Sequence, residues 1–150
     1  MNKTKLGFTA NSYATLVFGA SLLASPSGAI SSWLGIIPAL LLAGAALLLD
    51  DNEWLRRMVA KAIAFIIAAN VISTVWMLFP DVLQWIVDII SVFSKKIDLT
   101  VITKICDVFA WINTAFGIAV KALLIFYAFQ AYNGKYVKVL FVENLINRNM

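Results

Sequence analysis

The fold turns on residues 30–53. Ile30-Ser31-Ser32-Trp33-Leu34-Gly35-Ile36-Ile37-Pro38-Ala39-Leu40-Leu41-Leu42-Ala43-Gly44-Ala45-Ala46-Leu47-Leu48-Leu49 carries no charge, and Asp50-Asp51-Asn52-Glu53 ends it abruptly. A bilayer-spanning helix needs about 20 mostly apolar residues. A helix apolar on every face belongs inside a large core or inside lipid, and 150 residues make no large core. The rest of the chain agrees: 62% of its residues are apolar and 13% charged, with a mean hydropathy of +0.89. Soluble domains carry about a quarter charged residues. A secreted disulfide scaffold, a disordered chain and a large soluble enzyme are thereby excluded. The sequence implies a single all-α domain over 1–150, a polytopic integral membrane protein.

Three further spans follow from the charges and turn signals on either side of 30–49. The first covers about 6–24, after Lys3 and Lys5, and stops at Ser25-Pro26-Ser27-Gly28. A basic start before an apolar run also fits a secretory signal, and we expect a retained helix. The third covers about 57–79 and stops before Pro80; the fourth, about 101–131, stops at Asn133-Gly134. Between them, 81–95 is too short to span. Its Asp81, Gln84, Asp88, Ser91 and Lys95 recur at steps of three and four, which predicts a separate amphipathic helix, interfacial or packed on the bundle. The tail, 133–150, predicts a short amphipathic helix with Val137, Leu140, Phe141, Leu145 and Ile146 on one face and Lys138, Glu143, Asn147 and Arg148 mostly away from it.

The net charge of +4 reads as topology, with no nucleic-acid partner. With both termini cytoplasmic, the inner side holds eight basic residues, Lys3, Lys5, Arg56, Arg57, Lys61, Lys135, Lys138 and Arg148. The outer side holds three, Lys95, Lys96 and Lys104. Basic residues gather on the cytoplasmic side, so four spans are expected with both ends inside. Arg56, Arg57, Lys135, Lys138 and Arg148 are the candidate residues for docking anionic lipid or a soluble cytoplasmic partner.

Ionisable and strongly polar groups within spans are functional candidates because they are costly there. Asp107, Thr114 and Lys121 repeat every seven residues, on one face of the fourth span. Asn70 in the third span lies at a depth close to that of Lys121, so a contact between the two is allowed. These four residues could line a pore or glue a helix seam. Ala39 with Ala43, and Ala60, Ala64 and Ala68, form small-residue faces suited to close packing. Trp33, Trp54, Trp85 and Trp111 fall near span ends, as an aromatic belt would.

Catalytic chemistry is scarce. The chain has no histidine and one cysteine, Cys106, which removes histidine acid/base work and any internal disulfide. No catalytic residue, metal site or cofactor is expected. Asp50, Asp51 and Glu53 lack a glycine turn or further ligands and read as a helix start, where carboxylates are favourable.

Two stretches carry a resemblance. Residues 50–62, with Trp54, Arg56, Arg57 and Lys61 behind the acidic break, and residues 131–139, with Gly134-Lys135-Tyr136, resemble the boundary motifs of a widespread group of small bacterial four-helix membrane proteins. That group is related to the channel-associated component of the chloroplast inner-envelope protein-import translocon. Many members have a histidine near Met58-Val59 and a proline near Leu140-Phe141. The resemblance implies a bacterial inner-membrane protein that works through partners. From the residues themselves we expect a non-enzymatic scaffold or sensor subunit of an oligomeric membrane complex, alone or with a partner; the alternative is a homo-oligomeric pore or ion channel.

Overall fold

The computed structural model describes residues 7–26, 32–94, 98–139, 142, 143 and 148. They form an all-helical fold of four α-helices: α1 (Ala10–Ser21), prolonged by a 3-10 turn over Leu22–Ala24, α2 (Ser32–Leu49), α3 (Glu53–Phe93) and α4 (Thr100–Tyr132). By length and composition, α3 and α4 can each cross a membrane, while α1 with its 3-10 turn and α2 are shorter apolar helices.

Local chemistry sets the helix ends. Thr9 caps α1, its hydroxyl accepting the Ser12 amide at 3.3 Å. At the acidic break, Asp50 accepts the Asn52 amide at 2.9 Å and Asn52 caps Leu55 at 3.2 Å. Glu53 then pairs with Arg57 one turn on. Asp98 opens α4; hydrogen bonds from the Thr100 hydroxyl and amide hold its carboxyl below the usual range. At the other end, Gly134 adopts φ +70°, and Gly134 and Lys135 donate to Ala131 and Gln130, each at 3.0 Å. Closing the last turn this way needs a residue that tolerates left-handed backbone.

The expected separate helix at 81–95 is corrected. Residues 81–93 continue α3 without a break through Pro80, and Lys95 lies outside the described residues. A proline inside a helix costs one hydrogen bond and a local clash, about 3 kcal/mol. Stopping and restarting would leave about four amides and four carbonyls unpaired in apolar surroundings, which is worse. The resulting helix of 41 residues is about 62 Å long, and α4 is about 50 Å.

The core fills only the lower half of this α3–α4 pair. There α1 packs against α2, α3 and α4, burying Ala14, Val17 and Phe18 against Leu55, Met58, Ile66, Leu124 and Tyr127. The Tyr127 ring meets Phe65 edge-on at 5.6 Å and Phe18 at 6.1 Å. Ala39, Ala43 and Ala46 are buried, so the small face of α2 does serve its contact, whereas Ala60, Ala64 and Ala68 are half-buried and Ala62 and Ala69 take the deeper positions. The Tyr13 hydroxyl donates to the Leu42 carbonyl at 2.7 Å. The Thr15 hydroxyl donates to Ala128 O at 3.4 Å.

Asn70 marks the top of this bundle. Its amide nitrogen donates to Ala24 O at 2.7 Å and to Ile66 O at 2.9 Å, which ties the end of the 3-10 turn to α3. Asn70→Leu should lower stability by about 1–3 kcal/mol, the cost of an unpaired buried carbonyl, as read by unfolding in detergent; Asn70→Ser should recover part of it. Beyond Asn70, α3 runs on for about 35 Å with α4 alone beside it.

Candidate functional site

The lower end of the molecule holds a buried cation. Lys61 lies two turns into α3 and its side chain is fully buried. Its ammonium donates to Glu143 Oε1 at 2.8 Å and Oε2 at 3.0 Å and to Val137 O at 2.9 Å. It also stands 3.9 Å from the centre of the Tyr136 ring. A buried ammonium is tolerable only when paired and hydrogen-bonded, and here both conditions hold. Glu143 Oε2 accepts the Val139 amide at 3.2 Å, Arg57 pairs with Glu53, and the neighbouring Tyr136 and Glu53 raise the pKa of the Arg57 guanidinium.

These contacts seat residues 135–139, with Val142 and Glu143, as a strap over the start of α3. Over its first part this corrects the predicted tail helix: 135–139 is non-helical, with Val137 and Val139 buried and Lys138 exposed between them, while Glu143 and Arg148 are helical. Extended backbone sends alternate side chains to opposite sides, and burial of both valines selects it. Glu143, placed away from the apolar face by helical spacing, instead turns inward to Lys61. Leu140, Phe141, Leu145, Ile146 and Asn147 lie outside the described residues. Residues of 50–62 and of 131–139 thus meet at Lys61. Sequence reasoning counted Lys61 among the inner-end cations and missed its burial; one usable signal was that Glu143 is the single carboxylate after Asp107.

Among the predicted docking residues, Arg56, Lys135, Lys138 and Arg148 are exposed and Arg57 is half-buried. Arg56, Arg57, Lys135 and Lys138 lie at the strapped end by their place in α3 and the strap.

The predicted polar face divides: Asp107 and Thr114 map to the upper half, and Lys121 lies below the height of Asn70. Asp107 and Thr114 are exposed and Lys121 is half-buried; the Thr114 hydroxyl donates back to Ala110 O at 3.0 Å. Both amide hydrogens of Asn70 are committed to Ala24 and Ile66, so its role is to hold the bundle top. The helical period carries the α4 side on which Ala128 meets Thr15 of α1 upward, within about 60°, to Thr114 and Asp107. On α3 the face of Ile66 and Asn70 leads likewise to Gln84 and Asp88, both exposed. One side of the upper hairpin, above the end of α1, is therefore polar.

The opposite side is an apolar groove between α3 and α4. Cavities of about 110, 230 and 540 Å³ follow one another there, sharing Ile72, Trp76 and Phe116 as walls. Trp76 stacks on Phe109 at 4.8 Å and donates to Phe109 O at 3.1 Å. The Ser73 hydroxyl donates to Asn113 Oδ1 at 2.7 Å, and the Cys106 thiol faces Pro80 O at 3.7 Å. Ser73 and Asn113 were missed in the sequence, where each looks like an ordinary polar residue in an apolar run.

No group of three or more metal-ligating side chains converges among the described residues. Asp107 and Lys121, about 21 Å apart along α4, cannot act on one bond. Compared with protein-family models, curated proteins and solved structures, the chain matches none.

Proposed function

We propose that this protein is a non-enzymatic subunit of a homo-oligomeric complex in a membrane, where it acts as a scaffold or sensor. One observation carries the reading: α3 is a single apolar helix of 41 residues, and its upper half has only α4 for cover. A hydrocarbon core is about 30 Å thick, and the uncharged stretch 62–80 of α3 fills it at about 28 Å. Residues 81–93 then extend past it. Trp85, Val92 and Phe93, 71%, 79% and 84% exposed, lie beyond the reach of lipid tails and need protein neighbours. Lower down, Leu41 of α2 is 71% exposed, which suits lipid and not water. In this reading α1 and α2 enter the membrane beside the lower part of α3, with Ala24 at the height of Asn70 about 12 Å into the hydrocarbon, the termini face the cytoplasm, and the basic residues Arg56, Lys135, Lys138 and Arg148 lie against anionic headgroups. Two differently tagged copies, co-expressed and extracted in mild detergent, should be captured together through either tag; copies that never co-purify would overturn the proposal.

A second reading is favoured by the polar side of the hairpin. Asp107 and Thr114, with Gln84 and Asp88 about 8–14 Å above Asp107 on the same side, would face a water path if copies surrounded an axis. Liposomes holding the protein should then pass cations, and Asp107→Asn should cut the flux several-fold with assembly unchanged. Sealed liposomes would leave only the scaffold.

A further inference from the structure

The upper α3–α4 hairpin has two flanks that no described element covers. On α3, Leu78, Asp81, Val82, Trp85 and Ile89 are exposed and lie about 80–180° round the helix from Ser73 and Pro80, which face α4. On α4, Lys104, Val108, Trp111 and Ile118 are exposed and lie equally far from Cys106 and Asn113, which face α3.

We propose that these flanks bind each other between copies, the α3 flank of one chain seating on the α4 flank of the next, head to tail. The inference rests on the oligomeric reading above and names the surface that assembles it. Register is the first argument. The Ser73–Asn113 and Pro80–Cys106 contacts put residues whose numbers sum to about 186 at one height. Copies inserted with one orientation are related by rotation about the membrane normal, so heights carry over from one copy to the next. Lys104 is then level with residue 82, about 1.5 Å from the height of Asp81. Among the described residues neither Asp81 nor Lys104 has an ion pair within the chain. They stand on opposite flanks at matching height with opposite charge.

Side-chain size follows the same register. Trp111, 80% exposed, is level with Val75 and beside Thr74; Trp85 is level with Val101 and beside Thr100. Each exposed indole therefore meets a pair of smaller side chains. Covering a flank would bury roughly 600–800 Å², near the ~800 Å² per partner of a stable interface. The apolar surface supplies the attraction, and the Asp81–Lys104 pair fixes register and direction.

Cysteine cross-linking in membranes tests this in a Cys106→Ala background. The double variant Asp81→Cys/Lys104→Cys should give a ladder of dimer, trimer and larger bands on mild oxidation. Asp81→Cys co-expressed with Lys104→Cys should give only the mixed dimer, and neither single variant alone should cross-link. Self-cross-linking of a single variant would indicate a two-fold contact and overturn the head-to-tail arrangement, as would no cross-linking in copies that still co-purify. Copies that do not co-purify would instead sink the oligomeric reading itself. As a second measurement, Asp81→Lys should lower co-capture at least tenfold and Asp81→Lys/Lys104→Asp should restore it; an unrestored double variant counts against the pair.

Discussion

Replacing Glu143 by alanine should destabilise the protein more than replacing Lys61 by methionine, although both changes break the same pair. Glu143→Ala leaves the Lys61 ammonium buried with only Val137 O and the Tyr136 ring as partners. Removing one member of a buried pair costs about 3–5 kcal/mol. Because the Glu143 side chain is 29% exposed, water can enter, and about 2–3 kcal/mol is the expected loss. Lys61→Met instead fills the site with an apolar chain of similar length and leaves Glu143 near solvent with the Val139 amide, so the loss should be about 1 kcal/mol. The double variant should therefore be more stable than Glu143→Ala alone. Thermal unfolding in detergent reads the order, and limited proteolysis within 135–143 should be faster in Glu143→Ala. Equal losses in the two single variants would mean that the buried charge does not govern the strap.

Gly35→Ala should be the most damaging of the glycine substitutions. A Cβ at Gly35 would lie 2.1 Å from the Leu23 carbonyl oxygen and 2.7 Å from its carbon. Both are backbone atoms of the 3-10 turn, so no rotamer change relieves the clash. The turn is also fixed from its other side by the Asn70 hydrogen bond to Ala24, and α2 must move bodily. Overpacking costs typically 1–3 kcal/mol, and this site belongs at about 3 kcal/mol. Gly19 and Gly44 meet nothing within 4 Å. Gly44→Ala should raise stability by about 0.5–1 kcal/mol through helix propensity. A Gly35→Ala protein as stable as Gly44→Ala would contradict the close α2 contact.

Much of the fold was legible because the deciding signals are local. The uncharged run of α2 and the acidic break after it, the Asn133-Gly134 stop and the small face of Ala39 and Ala43 need no knowledge of distant residues. Pro80 misled because its local meaning, a helix stop, yields to the larger cost of unpaired backbone in apolar surroundings. The tail misled for a different reason. Val137 and Val139 fit a strand period, Val137 with Leu140 and Phe141 a helix period, and the deciding partner of Glu143 is 82 positions away. The spacing of Asp107, Thr114 and Lys121 puts them on one face of α4 and says nothing of what that face meets. The Ser73–Asn113 bond was not readable, because two polar residues in separate spans give no sign of their common height until the helices are in register.

The central claim is that the upper half of the α3–α4 hairpin is covered by further copies of the chain. Native mass spectrometry of the protein released from lipid nanodiscs tests it most directly. The account predicts a discrete mass of three or more chains, falling to monomer in Trp85→Ala/Trp111→Ala. A monomer of 16.5 kDa as the only species in the wild-type protein would contradict it.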